Sequence, residues 1–180
     1  MRVFLVSGST RSGSANTAAL VTAAALAPPG VTTVRYQGLA GLPAFNPDHD
    51  GDLLPDQVAE LRRELDGADA VLFCTPEYAG TLPGSLKNLL DWTVGGGQLY
   101  GKPVAWLNVA AANRGLGAEQ TLRGVLGYVG AVVVEPACRH IPVDRSAIGP
   151  DGAVTDQRFA AAVADAWTEL TRHAGPGVSE

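Results

Sequence analysis

Apolar positions along this chain fall into two kinds of run. Residues 2–8 and Ala70-Val71-Leu72-Phe73-Cys74 are continuous apolar stretches without alternation. A strand covered by helices on both faces must be apolar on both, so these runs predict buried parallel strands. Residues 103–109 and 131–134 add a fourth and a fifth strand, and the more polar 31–36 reads as a second strand near the sheet edge. Helical spacing fills the intervals. Val58, Leu61 and Leu65 mark a helix over 55–66, and Leu86, Leu89 and Leu90 one over 85–92. Leu122, Val125, Leu126 and Val129 mark 118–129, and Phe159, Val163, Trp167 and Leu170 mark 156–173. The Ala/Leu-rich segment 16–27 reads as the first helix, stopped by Pro28-Pro29-Gly30. Residues 42–47, Gly95-Gly96-Gly97 and 141–155 read as loops, and the Gly/Ser/Glu tail as frayed.

Strands alternating with helices predict an α/β fold with a parallel sheet and helices on both faces. Two strand orders compete, the dinucleotide-binding one and the flavodoxin-like order 2-1-3-4-5. The loop after the first strand lacks G-x-G-x-x-G, because Ser9 and Arg11 stand where glycines would admit a pyrophosphate. No acidic residue ends the second strand to hold a ribose diol, and no P-loop sequence occurs. The reading is therefore a flavodoxin-like three-layer sandwich, a five-stranded parallel sheet in the order 2-1-3-4-5, forming one domain over residues 1–180.

Composition narrows the partners. A net charge of −5 argues against a nucleic-acid partner, which needs a basic face. No apolar run approaches the length of a membrane span, and the first one is too short for a signal-peptide core. Cys74 and Cys138 have no metal spacing and read as small buried hydrophobes in a reducing, cytoplasmic compartment. His49, His140 and His173 are scattered, so no metal site is expected.

The chemistry concentrates in two loops. Between the first strand and the first helix runs Gly8-Ser9-Thr10-Arg11-Ser12-Gly13-Ser14-Ala15-Asn16. A helix N-terminus offers unpaired N–H groups and a positive dipole end. Hydroxyls and a guanidinium beside it make an anion site suited to a phosphate monoester. The plainer reading is a capped loop with Asn16 as the cap. After the third strand, Thr75 to Asn88 carries Pro76, Pro83, Gly80 and Gly84, which stiffen the backbone and leave room for a flat ligand, with Tyr78 offering a ring.

Gly8-Ser9-x-Arg11-x-x-Ser14-x-Asn16, with Pro76-Glu77-Tyr78-x-Gly80-x-x-Pro83-Gly84-x-Leu86-Lys87-Asn88-x-x-Asp91-Trp92, resembles the NADPH-dependent FMN reductase family, which includes quinone, azo-dye and chromate reductases. The resemblance covers roughly residues 2–135. It implies one noncovalent FMN per subunit, NADPH or NADH as donor, a small quinone-like acceptor served in ping-pong fashion, and a homodimer or homotetramer. It places the phosphate against Ser9, Arg11, Ser14, Ala15 and Asn16, and the flavin ring along Pro76, Glu77, Tyr78 and Ala79. The loop after the fourth strand, with Ala111 and Ala112, closes over the pyrimidine end. Two departures stand out. Ala79 replaces the usual asparagine, and Ala110-Ala111-Ala112-Asn113-Arg114-Gly115 replaces a Ser/Gly-rich loop. Arg114 meets either the nucleotide's phosphates, an anionic acceptor or solvent. No side chain reads as a general acid or base. Glu77 is expected to point to solvent or a subunit interface, and Lys87, Asn88 and Asp91 to anchor a loop or contact a second subunit. Residues 85–100, with Trp92 and Tyr100, are the candidate two-fold interface. The alternative is a flavodoxin-type electron carrier with no substrate of its own; a scaffold that has lost FMN is a third reading.

Overall fold

The computed structural model describes residues 1–174. The strands are β1 (Arg2–Ser7), β2 (Thr32–Arg35), β3 (Ala70–Cys74), β4 (Pro103–Asn108), β5 (Val132–Val133) and β6 (Arg139–His140). The helices are α1 (Ala15–Ala25), α2 (Asp56–Asp66), α3 (Gly84–Asp91), α4 (Leu116–Tyr128) and α5 (Gln157–Ala174). All strand pairs are parallel, in the order β2-β1-β3-β4-β5, with β6 also on β4.

The central strands β1, β3 and β4 are apolar through their middles because each feeds two cores, whereas β2 and β6 are polar and only partly buried. Val3, Leu5, Leu72 and Leu107 face one side and pack with Leu20 of α1 and with Phe159, Val163 and Trp167 of α5. Phe4, Val6, Phe73 and Trp106 face the other and pack with Leu61, Leu86, Leu90 and Leu122 of α2, α3 and α4. Removing one such side chain, as in Phe73→Ala, costs about 3–5 kcal/mol. The alanine-rich α1 lies close on the sheet, and the Trp167 indole N–H donates to Ala23 O at 2.9 Å.

The fifth strand is shorter than the sequence reading and is split. The chain pairs with β4 at Val132 and Val133, leaves through a 3-10 turn over Glu135–Ala137, and rejoins at Arg139↔Leu107 and His140↔Asn108. Pro136 explains the detour, since it has no N–H to donate to the ladder. Helix α4 begins at Leu116, two residues earlier than periodicity indicated. The frayed-tail reading falls on residues 175–180, outside the described residues.

Candidate functional site

The crevice lies where the strand order reverses, between β1 and β3, at the carboxyl ends of the strands. Open α/β sheets bind ligands at this position. Gly8 permits the approach of the two loops: it donates its N–H to Cys74 O at 2.9 Å, and a Cβ there would collide with the Thr75 side chain.

In the 9–16 loop, Ser14 is the N-cap of α1. Its extended backbone and its Oγ, which accepts from Asn16 N at 3.1 Å, define the cap. Asn16 is therefore not the cap; it sits in the first turn, buried. Its Oδ1 accepts from Cys74 Sγ at 3.4 Å, and its Nδ2 donates to Ser14 Oγ at 3.4 Å. Burial pushes the Cys74 thiol far up, which keeps it a neutral donor. Arg11 is exposed and forms no ion pair among the described residues. Its backbone N–H donates to Ser9 Oγ at 3.3 Å. The local chemistry is thus an uncommitted guanidinium, loop hydroxyls and a helix N-terminus, a donor set that fits a phosphate.

After β3 the chain makes a two-residue hairpin. Tyr78 N donates to Thr81 O at 3.0 Å and Thr81 N to Tyr78 O at 3.1 Å. Both central residues have positive φ, 51° at Ala79 and 75° at Gly80, the signature of a type I′ turn. Tyr78 is 54% exposed. Glu77 is exposed, as expected, but its carboxylate is also engaged across the crevice. Its Oε2 accepts from Gly117 N at 2.7 Å and Ala118 N at 3.1 Å, in the first turn of α4.

The loop after β4 is braced from below. Asn108 Oδ1 accepts from Ala110 N at 2.9 Å, and its Nδ2 donates to Glu119 Oε1 at 2.6 Å and Arg114 O at 3.2 Å. The His140 Nε2 lies 3.0 Å from Ala110 O. Arg114 N donates to Ala111 O at 2.9 Å. The N–H groups of Ala110 and Arg114 are thereby spent within the loop. Asn108 was not among the predicted residues; its signal was a polar residue closing an otherwise apolar strand.

These loops enclose a cavity of about 280 Å³ lined by Ala15, Asn16, Thr75, Pro76, Glu77, Val109, Ala110, Arg114 and Gly115. Of the predicted residues, the structure brings Ala15, Asn16, Pro76 and Glu77 together there. Ser9 lines a neighbouring polar cavity of about 210 Å³ with Ser7, Thr10 and Thr17. Arg11, Ser14, Tyr78, Ala79, Ala111 and Ala112 line neither of these two cavities. Thr75, Val109, Ala110 and Gly115 were missed as lining residues. Trp92 is a correction: it is fully buried, stacks edge-on against Phe45, and donates its indole N–H to Pro43 O at 2.9 Å, so it cannot meet a second subunit. Asn88 anchors the same loop through Phe45 N at 2.7 Å and Pro43 O at 2.8 Å, and Lys87 pairs with Asp91 at 2.6 Å. Among the described residues no cluster of ligating side chains could hold a metal, and no helix is long and apolar enough to cross a membrane.

The architecture is that of a flavodoxin-like protein. The profile of the NADPH-dependent FMN reductases matches residues 1–144. An NAD(P)H-dependent FMN reductase of Pseudomonas aeruginosa is 38% identical over 132 residues, 72% of this chain and 71% of that protein. A 2-hydroxy-1,4-benzoquinone reductase of a Burkholderia species is 31% identical over 161 residues, 87% of each chain. Among solved structures, a flavoenzyme NAD(P)H:(acceptor) oxidoreductase from Paracoccus denitrificans superposes with a TM-score of 0.78 at 27% identity, covering 96% of this chain and 98% of its own. The chain belongs to the NADPH-dependent FMN reductase family. It is an oxidoreductase that works with FMN and NAD(P)H, which decides against the electron-carrier reading.

Proposed function

We propose that this protein, as one FMN-binding domain, moves reducing equivalents from NAD(P)H to a small quinone-like acceptor. The cavity at the β1/β3 switch point, framed by the 9–16 loop and the Pro76-Glu77 wall, carries this reading. When bound, FMN supplies the redox chemistry, accepting a hydride and delivering two electrons onward. The protein's part is to bind, orient and shield. Ser9, Arg11 and Ser14, with the first turn of α1 at Ala15 and Asn16, hold the phosphate. Pro76, Glu77, Tyr78 and Ala79 form one wall beside the ring. The backbone N–H groups of Ala111 and Ala112 are not among those spent inside their loop and serve the pyrimidine end. No side chain is assigned a proton-transfer role. Donor and acceptor share one face in turn, which gives ping-pong kinetics. Quinone reductases among the relatives support the acceptor class.

Assembly completes the pocket. Exposed apolar side chains gather at Val94, Tyr100 and Tyr128, 60%, 81% and 97% exposed. With Trp92 inside, this face, and not the polar side of α3, is the candidate surface for a homodimer or homotetramer. Two cysteines left unpaired, Cys74 and Cys138, support a reducing, cytoplasmic setting. Anaerobic mixing with NADPH or NADH tests the function: full loss of the flavin absorbance band without a partner protein, then its recovery on adding a quinone, is the expected result. Flavin that neither nucleotide reduces would overturn it.

A further inference from the structure

We propose that Glu77 is a positioning residue that fixes the width of the crevice and sets its charge by acting through the first turn of α4. The two sides of the crevice come from different loops, and three contacts tie them. Glu77 Oε2 accepts from Gly117 N and Ala118 N, 40 and 41 residues away. Gly117 lies so close to the Gly80 carbonyl that a Cβ would overlap its oxygen. The Thr81 and Thr121 hydroxyls are 2.9 Å apart. Thr121 Oγ1 already donates its one hydrogen to Gly117 O at 2.8 Å, so Thr81 is the donor to Thr121. Helix α4 needs this help. Its N-cap is Gly115, which has no side chain to accept from the orphan N–H groups of the first turn. A carboxylate from another loop takes the place of the missing cap.

The same carboxylate sets the electrostatics. It places a negative charge against the positive end of α4, on the wall of a cavity that also carries Arg114. Electrons delivered into that cavity add negative charge, and Glu77 opposes them. A glutamine at position 77 keeps an oxygen able to accept from both N–H groups but removes the charge. An alanine removes both.

The inference rests on the cavity being the flavin site, and the experiment separates the two. Amide exchange is measured on the flavin-free protein, FMN affinity and midpoint potential on the loaded one. Glu77→Ala should speed exchange at Gly117 and Ala118 at least tenfold and weaken FMN binding about tenfold. Glu77→Gln should leave exchange near wild type and tighten reduced over oxidised FMN about 3–10-fold, a positive shift of about 15–30 mV. Gly117→Ala, which opens the tie from the other side, should mimic the affinity loss and serves if Glu77→Ala does not fold. Unchanged exchange in Glu77→Ala would overturn the tie, and an unchanged potential in Glu77→Gln, with FMN binding still weakened in Glu77→Ala, would overturn the charge role. Faster exchange with unaltered FMN affinity and potential would keep the tie and overturn the site reading instead.

Discussion

Replacing Ala79 with glycine should stabilise the protein, although alanine is ordinarily the safer residue. Ala79 holds φ at 51°, where the Cβ of an L-residue crowds the backbone at about 1–2 kcal/mol. Glycine removes that cost and gives back about 0.4–1 kcal/mol through the greater freedom of the unfolded chain. Ala79 is exposed, so no packing is lost. The net gain is about 0.5–1 kcal/mol, or about 1–4 °C in Tm at this chain length. Ala79→Asn should gain at least as much, because asparagine tolerates the left-handed region without glycine's entropy. Gly80→Ala supplies the opposite sign in the same hairpin. Its φ is 75° and a Cβ would meet nothing within 4 Å, so the loss of about 1 kcal/mol is conformational alone. Urea unfolding of the three variants without flavin measures all of this. A destabilised Ala79→Gly, or a stabilised Gly80→Ala, would refute the type I′ assignment.

Three further outcomes follow from the site. Arg114→Gln should lower kcat/KM for a quinone bearing an ionised substituent by about 5–50-fold, with a neutral quinone nearly unaffected; the scale is that of one charge-assisted hydrogen bond, and steady-state kinetics with the matched pair checks it. Asn108→Ala should cost about 1–3 kcal/mol in urea unfolding, because Ala110 N and the Glu119 carboxylate lose their partner. Neither thiol should alkylate readily in native protein at pH 8. Burial raises Cys74 far above the ordinary range and Cys138 to about 11, so the reactive thiolate is scarce until pH climbs toward those values; timed labelling read by mass spectrometry tests this.

What was legible in the sequence was whatever local pattern encodes. Val3 to Val6 and Ala70 to Cys74 announced strands covered on both faces, and Leu61, Leu86 and Leu122 announced the helices that cover one of them. The switch point followed from strand order and from what the 9–16 loop lacks. Contacts between loops far apart in sequence left no periodic trace. Glu77 reaches across 40 residues to cap α4, and nothing near it says so. Trp92 looked like an interface aromatic because the loop at Pro43 and Phe45 folds back over it only in three dimensions. Pro136 went unread as the residue that breaks the fifth strand, and the return to β4 at Arg139 and His140 depends on pairing that those two residues alone do not specify.

The central claim is that the 9–16 loop grips the phosphate of FMN through Arg11. Calorimetric titration of wild-type and Arg11→Ala apoprotein with FMN and with riboflavin tests it in one experiment. The loss of one charge-assisted hydrogen bond of about 1.5–3 kcal/mol predicts FMN binding about 10–150-fold weaker in the variant, with riboflavin affinity unchanged. Equal losses for both ligands, or none for FMN, would contradict the account.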